Sequence, residues 1–320
     1  MHLHPAFRQQ ETIVAVLTAI LFVAFALAIP DFIAPANLLN IARSVAPLGI
    51  LALGMAVVVI GRGIDLSMVG VLAISAGWVL QLAQDGAGLP AALLGGLVVA
   101  LAVGVINGIV VAFLEVPPLL ATLAMSSIIY GVGRSWLIHM QVVYLPSDAG
   151  TLAALGQGVL PVLLFLLAAL VVWLYLLFVR WGRFNYAIGD NPATARLTGI
   201  PVRGVQVINY VVAALIGYLA GLVTASTVSS INVQMVSSTM VYDVILVVVL
   251  GGIGLSGGRG GVRNILMSTL LIGILLNSMT LLNMPYHVQN LIKSLILLGA
   301  IALDSALNPR NEQTAQQGDL

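Results

Sequence analysis

The residues with chemistry to explain in this chain are an acid and a lysine set in apolar surroundings, and a serine followed at a distance by a histidine. Asp243 heads the apolar run Val241–Leu255, and Lys293, the chain's only lysine, lies inside another such run. A charge at the centre of a bilayer costs at least ~2.5 kcal/mol on insertion scales, so Asp243 should face protein or water. Three roles fit it: an ion pair with Arg134 or Lys293, a cap on the helix that it opens, or a place on a solute path. Gly254-Leu255-Ser256-Gly257 with His287 would make an activated serine if base and hydroxyl came within hydrogen-bond reach. A capping role at the following helix explains Ser256 equally well. Asp65 and Ser67 stand where the run Leu66–Leu82 begins and are placed to satisfy its free amides. Cysteine is absent and the four histidines lack paired carboxylates, so neither thiolate chemistry nor a metal site is expected.

The elements that hold these residues follow from composition. Of 320 residues, 60% are hydrophobic and 7% charged, too little polar surface for a water-soluble globule of this size. The expectation is an all-α polytopic membrane protein embedded in a lipid bilayer. A net charge of +1 offers no basic field for nucleic acid. Ten apolar runs are long enough, or nearly so, to cross a ~30 Å hydrocarbon layer as helix: residues 12–29, 38–60, 66–82, 89–114, 119–138, 155–179, 205–228, 241–255, 265–282 and 287–303. The third and eighth are short enough to be broken or re-entrant. The first has too long an apolar core and too few basic residues for a cleaved signal peptide, and is read as an uncleaved helix.

Basic residues set the orientation, because the cytoplasmic side retains them. With both ends inside, Arg8, Arg62, Arg180, Arg183, Arg196, Arg203, Arg259, Arg263 and Arg310 are cytoplasmic, leaving Arg43, Arg134 and Lys293. The expected organisation is one transmembrane domain over 1–320. Residues 1–11 form a cytoplasmic amino terminus, 12–304 a helical bundle with a cytoplasmic loop at 180–204, and 305–320 a cytoplasmic tail. Asn191 can cap a short helix with Pro192 in its first turn, and Gly199 can end it in the left-handed conformation.

Amides within apolar runs supply uncharged donors and acceptors, either to a neighbouring helix or to a path between helices. Asn107, Asn209, Asn277 and Asn283 are the candidate lining amides, each equally able to bond a neighbouring helix. Gly104 with Gly108, and Gly217 with Gly221, have the spacing that lets helices approach. One internal echo runs from Val57-Val58-Val59-Ile60-Gly61-Arg62-Gly63-Ile64-Asp65-Leu66-Ser67 to Val247-Val248-Val249-Leu250-Gly251-Gly252-Ile253-Gly254-Leu255-Ser256, one residue shorter, and such repeats are common around transport pathways. A phosphate-binding loop needs a lysine after its glycines, and Lys293 is not so placed. Energy for uphill transport would come from a separate ATPase or from an ion gradient.

Several ordered motifs carry a family resemblance: Gly63-Ile64-Asp65-Leu66-Ser67, Asn107-Gly108, Pro117-Pro118 before Thr122-Leu123, Gly189-Asp190-Asn191 through Gly199-Ile200, and Val248-Val249-Leu250-Gly251-Gly252. Together they resemble permease subunits of bacterial ABC sugar importers of the ribose, xylose and galactose type, within the branched-chain amino acid permease superfamily. The resemblance implies a permease of the bacterial inner membrane that pairs with a second copy or a homologous permease. It would be worked by an ABC ATPase subunit that holds ATP and magnesium, and be fed by a periplasmic sugar-binding protein; the chain itself would hold no cofactor and catalyse nothing. It also makes Asn191, Pro192, Ala193, Thr194, Arg196, Gly199 and Ile200 the coupling segment, although the family's Glu-Ala-Ala reads Pro192-Ala193-Thr194 here. Gly63, Asp65, Ser67, Gly251, Gly252 and Ser256 are expected at hinges or helix caps. The alternatives are an ion-coupled secondary transporter resting on Asp243, or a related ABC permease for another small solute such as branched-chain amino acids.

Overall fold

The computed structural model describes residues 5–146 and 149–307, so Arg310 and most of the expected tail lie outside the described residues. Thirteen α-helices run through them: α1 (Pro5–Ala28), α2 (Pro35–Ile60), α3 (Met68–Gln84), α4 (Leu89–Ala112), α5 (Pro118–Val132), α6 (Gly150–Ala154), α7 (Leu160–Phe178), α8 (Arg180–Asp190), α9 (Pro192–Leu197), α10 (Val202–Val228), α11 (Met240–Leu250), α12 (Val262–Leu281) and α13 (Tyr286–Leu307). Every one of the ten apolar runs holds one of these helices; α6, α8 and α9 are additional. By length and apolarity alone, α2, α4, α7, α10 and α12 suffice to cross a membrane.

The central helix is α2, buried continuously from Val45 to Ile60 and packed by α10, α12, α7 and α11. Lipid is as apolar as leucine, so such helices associate through close packing rather than flight from water. The α4–α10 contact shows how. A Cβ on Gly104 would come 2.9 Å from Val211 Cα, and one on Gly108 2.6 Å from Val207 Cα, so both glycines press on backbone. Gly221 presses likewise on α3, whereas Gly217 has ordinary room. Gly108→Val is therefore expected to lower stability by about 1–3 kcal/mol, read as an earlier thermal unfolding midpoint, while Gly217→Ala leaves it nearly unchanged.

Three expected spans differ in extent. The eighth, read as 241–255, ends as α11 at Leu250, because Gly251 and Gly252 turn the chain and Gly252 has a φ of +80°. At 11 residues, α11 rises only about 16 Å and cannot cross alone. The sixth, read as 155–179, starts as α7 at Leu160, after a break holding Gly156 and Gly158. The fifth ends its α-helix at Val132 and continues as one π-helical turn, Gly133–Leu137. Two short strands, β1 (Val142–Tyr144) and β2 (Ser230–Asn232), pair antiparallel with Val143 opposite Ile231.

The internal echo is a shared turn. Arg62 N–H donates to Val59 O and Gly63 N–H to Val58 O; Gly252 N–H donates to Val249 O and Ile253 N–H to Val248 O. Each pair closes a helix with a left-handed residue, Arg62 at φ +64° and Gly252 at φ +80°. The loop that follows the second turn reaches the end of α2, where Gly258 N–H donates to Ile60 O at 2.8 Å.

Candidate functional site

One end of the bundle gathers the segments that carry seven of the arginines. There α8, α9, the ends of α2 and α4, the start of α10 and the 251–261 turn come together. Arg62 reaches α8, and Arg203 at the start of α10 meets Glu115 beyond α4 at 2.7 Å. The latter pair is more than half exposed and contributes little to stability.

The expected coupling segment forms a closed unit at this end. Asn191 Oδ1 accepts from Ala193 N–H at 3.0 Å and Thr194 N–H at 3.1 Å, capping α9 with Pro192 at its first position. At the other end Gly199, with φ +80°, donates to Arg196 O while Ile200 N–H donates to Ala195 O. Ala195 is buried against Ile188, Val202 and Val205, and Ile200 packs beside them. Thr194, Arg196 and Leu197 point away, and Leu197 is 89% exposed. A six-residue helix too short to hold itself is thus fixed at both ends and presents an uncovered leucine.

Asp243 opens α11 and is paired: Lys293 Nζ lies 2.8 Å from both of its carboxylate oxygens. Of the roles open to it, this is the ion pair with Lys293. Close by, the Thr239 and Tyr286 hydroxyls stand 3.0 Å apart, joining the heads of α11 and α13. Asp65 is fully enclosed, its Oδ1 accepting from Ser67 N–H at 2.9 Å and from Ser67 Oγ at 2.6 Å. It thus ties down the amide just before α3 rather than those of the helix's first turn. Gly63 and Gly251 lie in the two helix-closing turns, and Asn264 of α12 donates to Gly251 O. Ser256 caps nothing, because α12 begins only at Val262 behind Gly261. It is also remote from His287, which opens α13, whereas neighbouring Gly254 lies beside Asp304 roughly 25 Å along that helix. The serine–histidine pairing does not form.

The four amides separate. Asn107 is buried and donates to Ser67 Oγ at 2.8 Å, joining α4 to the head of α3. Asn209 is buried and donates to Asn185 Oδ1 at 2.7 Å; Asn185 in turn donates to Val57 O, linking α10, α8 and α2. Asn283 is exposed at φ +52° and closes α12. Asn277 is half-buried and exchanges two hydrogen bonds with Asn37 of α2, at 3.0 and 3.2 Å. Asn37, Asn40 and Ser44 share an arc of about 60° on α2, with Asn40 and Ser44 exposed. Sequence reading missed Asn37, Asn40 and Ser44. Their three- and four-residue spacing on an apolar helix was the available signal.

The family described as branched-chain amino acid transport system permease component matches residues 37–301. A ribose import permease of Bacillus subtilis is 33% identical over 280 residues, 86% of each chain. The ribose import permease of Escherichia coli strain K12 is 30% identical over 93% of this chain and 94% of its own. A galactofuranose transporter permease of the same strain is 30% identical over 86% of this chain and 80% of its own. No solved structure matches.

Proposed function

This chain belongs to the family of branched-chain amino acid transport system permease components, and we propose that it is the membrane-spanning permease of an ATP-driven importer for a monosaccharide. The observation that carries the reading is likeness along almost the whole chain to relatives named as ribose and galactofuranose permeases. In this reading a periplasmic binding protein delivers the sugar and two permease subunits enclose its route. A separate ATPase subunit grips α9 from the cytosol, and both chain termini lie on that side of the inner membrane. Closing of the ATPase would move α9 and the helix ends it touches, exchanging an outward-open for an inward-open state. The amide and hydroxyl strip of Asn37, Asn40, Ser44 and Asn277 suits sugar hydroxyls better than a charged group would, because neutral hydrogen bonds are weak enough to release cargo.

An ion-coupled carrier has less support, since Asp243, the acid on which it would rest, is held by Lys293. Vesicles separate the two. With the purified chain alone, a proton or sodium gradient is expected to drive no accumulation of D-ribose, D-galactose or L-arabinose. With its ATPase, binding protein and ATP, at least one of these should accumulate inside. Gradient-driven accumulation by the chain alone would overturn the reading.

Gly199 provides a second check. Its φ of +80° costs a residue with a side chain roughly 1–2 kcal/mol, although no atom stands within 4 Å of an added Cβ. Gly199→Arg is expected to insert normally into the membrane yet abolish ATP-driven uptake, by twisting the end of α9.

A further inference from the structure

A glycine is the usual residue where a helix closes in the left-handed conformation, and in the second copy of the echo Gly252 holds that place. In the first copy it is an arginine, Arg62, at φ +64°. The side chain explains the exception. Arg62 Nε donates to Gly189 O at 2.8 Å and Nη2 donates to Asp190 O at 2.9 Å, the last two carbonyls of α8. Those carbonyls carry the negative end of the α8 dipole, and the next residue, Asn191, is the cap of α9.

Three chain segments cross beneath that guanidinium. A Cβ on Gly189 would run into Ile60 O and Gly258 N, both backbone atoms that cannot swing aside. Gly258 N–H bonds Ile60 O, and Tyr186 of α8 donates to Gly260 O at 3.0 Å. Asn185, one turn back on α8, donates to Val57 O at 2.7 Å. The end of α8 is therefore bound both to α2 and to the glycine turn between α11 and α12.

We propose that Arg62 is the positioning residue through which a displacement of α9 is passed to α2 and to the 251–261 turn. This rests on the importer reading and adds to it the joint that links the ATPase-facing helix to the two glycine-broken helix ends. Asn185 and Tyr186 tie the flank of α8 to the same two segments, whereas the Arg62 guanidinium grips the last two carbonyls of α8, right beside the cap of α9.

Arg62→Gly tests the role, because it keeps the left-handed turn and relieves its backbone strain while removing the two hydrogen bonds, the charge beside Asp190 and the stem that lies against Gly257. Amide hydrogen exchange on the purified full chain is expected to speed up at least tenfold across 186–199 and across 251–261, with α3 and α4 unchanged. Unchanged or slower exchange in both segments would mean that Arg62 serves only to end α2, and would overturn the proposal. In vesicles holding the chain with its ATPase and binding protein, with D-ribose as probe, the variant should hydrolyse ATP within about twofold of the parent yet take up at least tenfold less sugar per ATP. An undiminished ratio would likewise overturn it. If the parent chain itself shows no ATP-driven uptake of D-ribose, that counts against the cargo reading, and the exchange result still decides the role of Arg62.

Discussion

Lys293→Met is expected to destabilise the protein by about 3–5 kcal/mol, and Asp243→Leu by a similar amount. The two side chains are only 8% and 16% exposed, so each charge depends on the other for the solvation it has lost. Removing one partner leaves a lone ion among apolar helices. Removing both leaves two residues of about the right volume to pack, and paired apolar replacement of a buried ion pair is commonly neutral or stabilising. The double variant Asp243→Leu with Lys293→Met should therefore recover most of the loss, giving a coupling term nearly as large as either single effect. The position of α13 makes this consequential. Its chief packing partner is α11, while Leu291, Leu295 and Leu298 face outward at 60% exposure or more. Thermal unfolding in detergent of all four proteins checks the cycle. Additive losses in the double variant would show that the ions act separately.

Transport by that double variant then tells a structural pair from a moving one. If the pair only pins α13 to α11, uptake should return together with stability. If the helices separate during transport, an apolar weld between them should leave a stable protein that hydrolyses ATP but carries cargo slowly. The structure holds the pair closed and Thr239 against Tyr286 beside it. The contact is thus made twice at the heads of the two helices, by charge and by hydroxyl.

The fold was legible where lipid dictates it and hidden where distant segments meet. Continuous apolar runs of about 20 residues become helices in a bilayer because a helix satisfies every amide within the segment, so each of the ten had a helix waiting. The capped stub from Asn191 to Gly199 was legible because glycine and asparagine report backbone conformation locally. The β1–β2 pair was not, since three-residue strands about 90 positions apart leave no periodic pattern. The break at 155–159 and the early end of α11 were overrun by hydropathy, which cannot see a turn inside an apolar stretch. At the candidate site, Asn277 was visible as a polar residue in an apolar run, but its partner Asn37 was not, because 240 residues separate them. Arg62 looked like one more positive charge on the cytoplasmic side. Only its left-handed φ and its two carbonyl partners distinguish it from Arg196 or Arg263.

On the proposed docking of an ATPase subunit at α9, Leu197→Asp should break that assembly while leaving the permease itself as stable as before. The side chain is 89% exposed, so the substitution disturbs little inside the chain, and surface changes of that kind stay within about 0.5 kcal/mol. The α9 helix keeps its shape because the Asn191 cap, the Gly199 turn and buried Ala195 hold it, none of which involves Leu197. In a docked complex the leucine would be covered, worth roughly 1.5–3 kcal/mol in apolar burial, and an aspartate there would have to shed water with no partner prepared for it. A combined loss of about 4 kcal/mol corresponds to nearly a thousandfold weaker association, at 1.4 kcal/mol per tenfold. Leu197→Met keeps the apolar contact and should cost less than tenfold. Co-purification of tagged permease with its ATPase, alongside thermal unfolding of the permease alone, reads both quantities. Full retention of the ATPase by Leu197→Asp would place the docking surface elsewhere, because no other exposed large apolar side chain on α9 could then account for the grip.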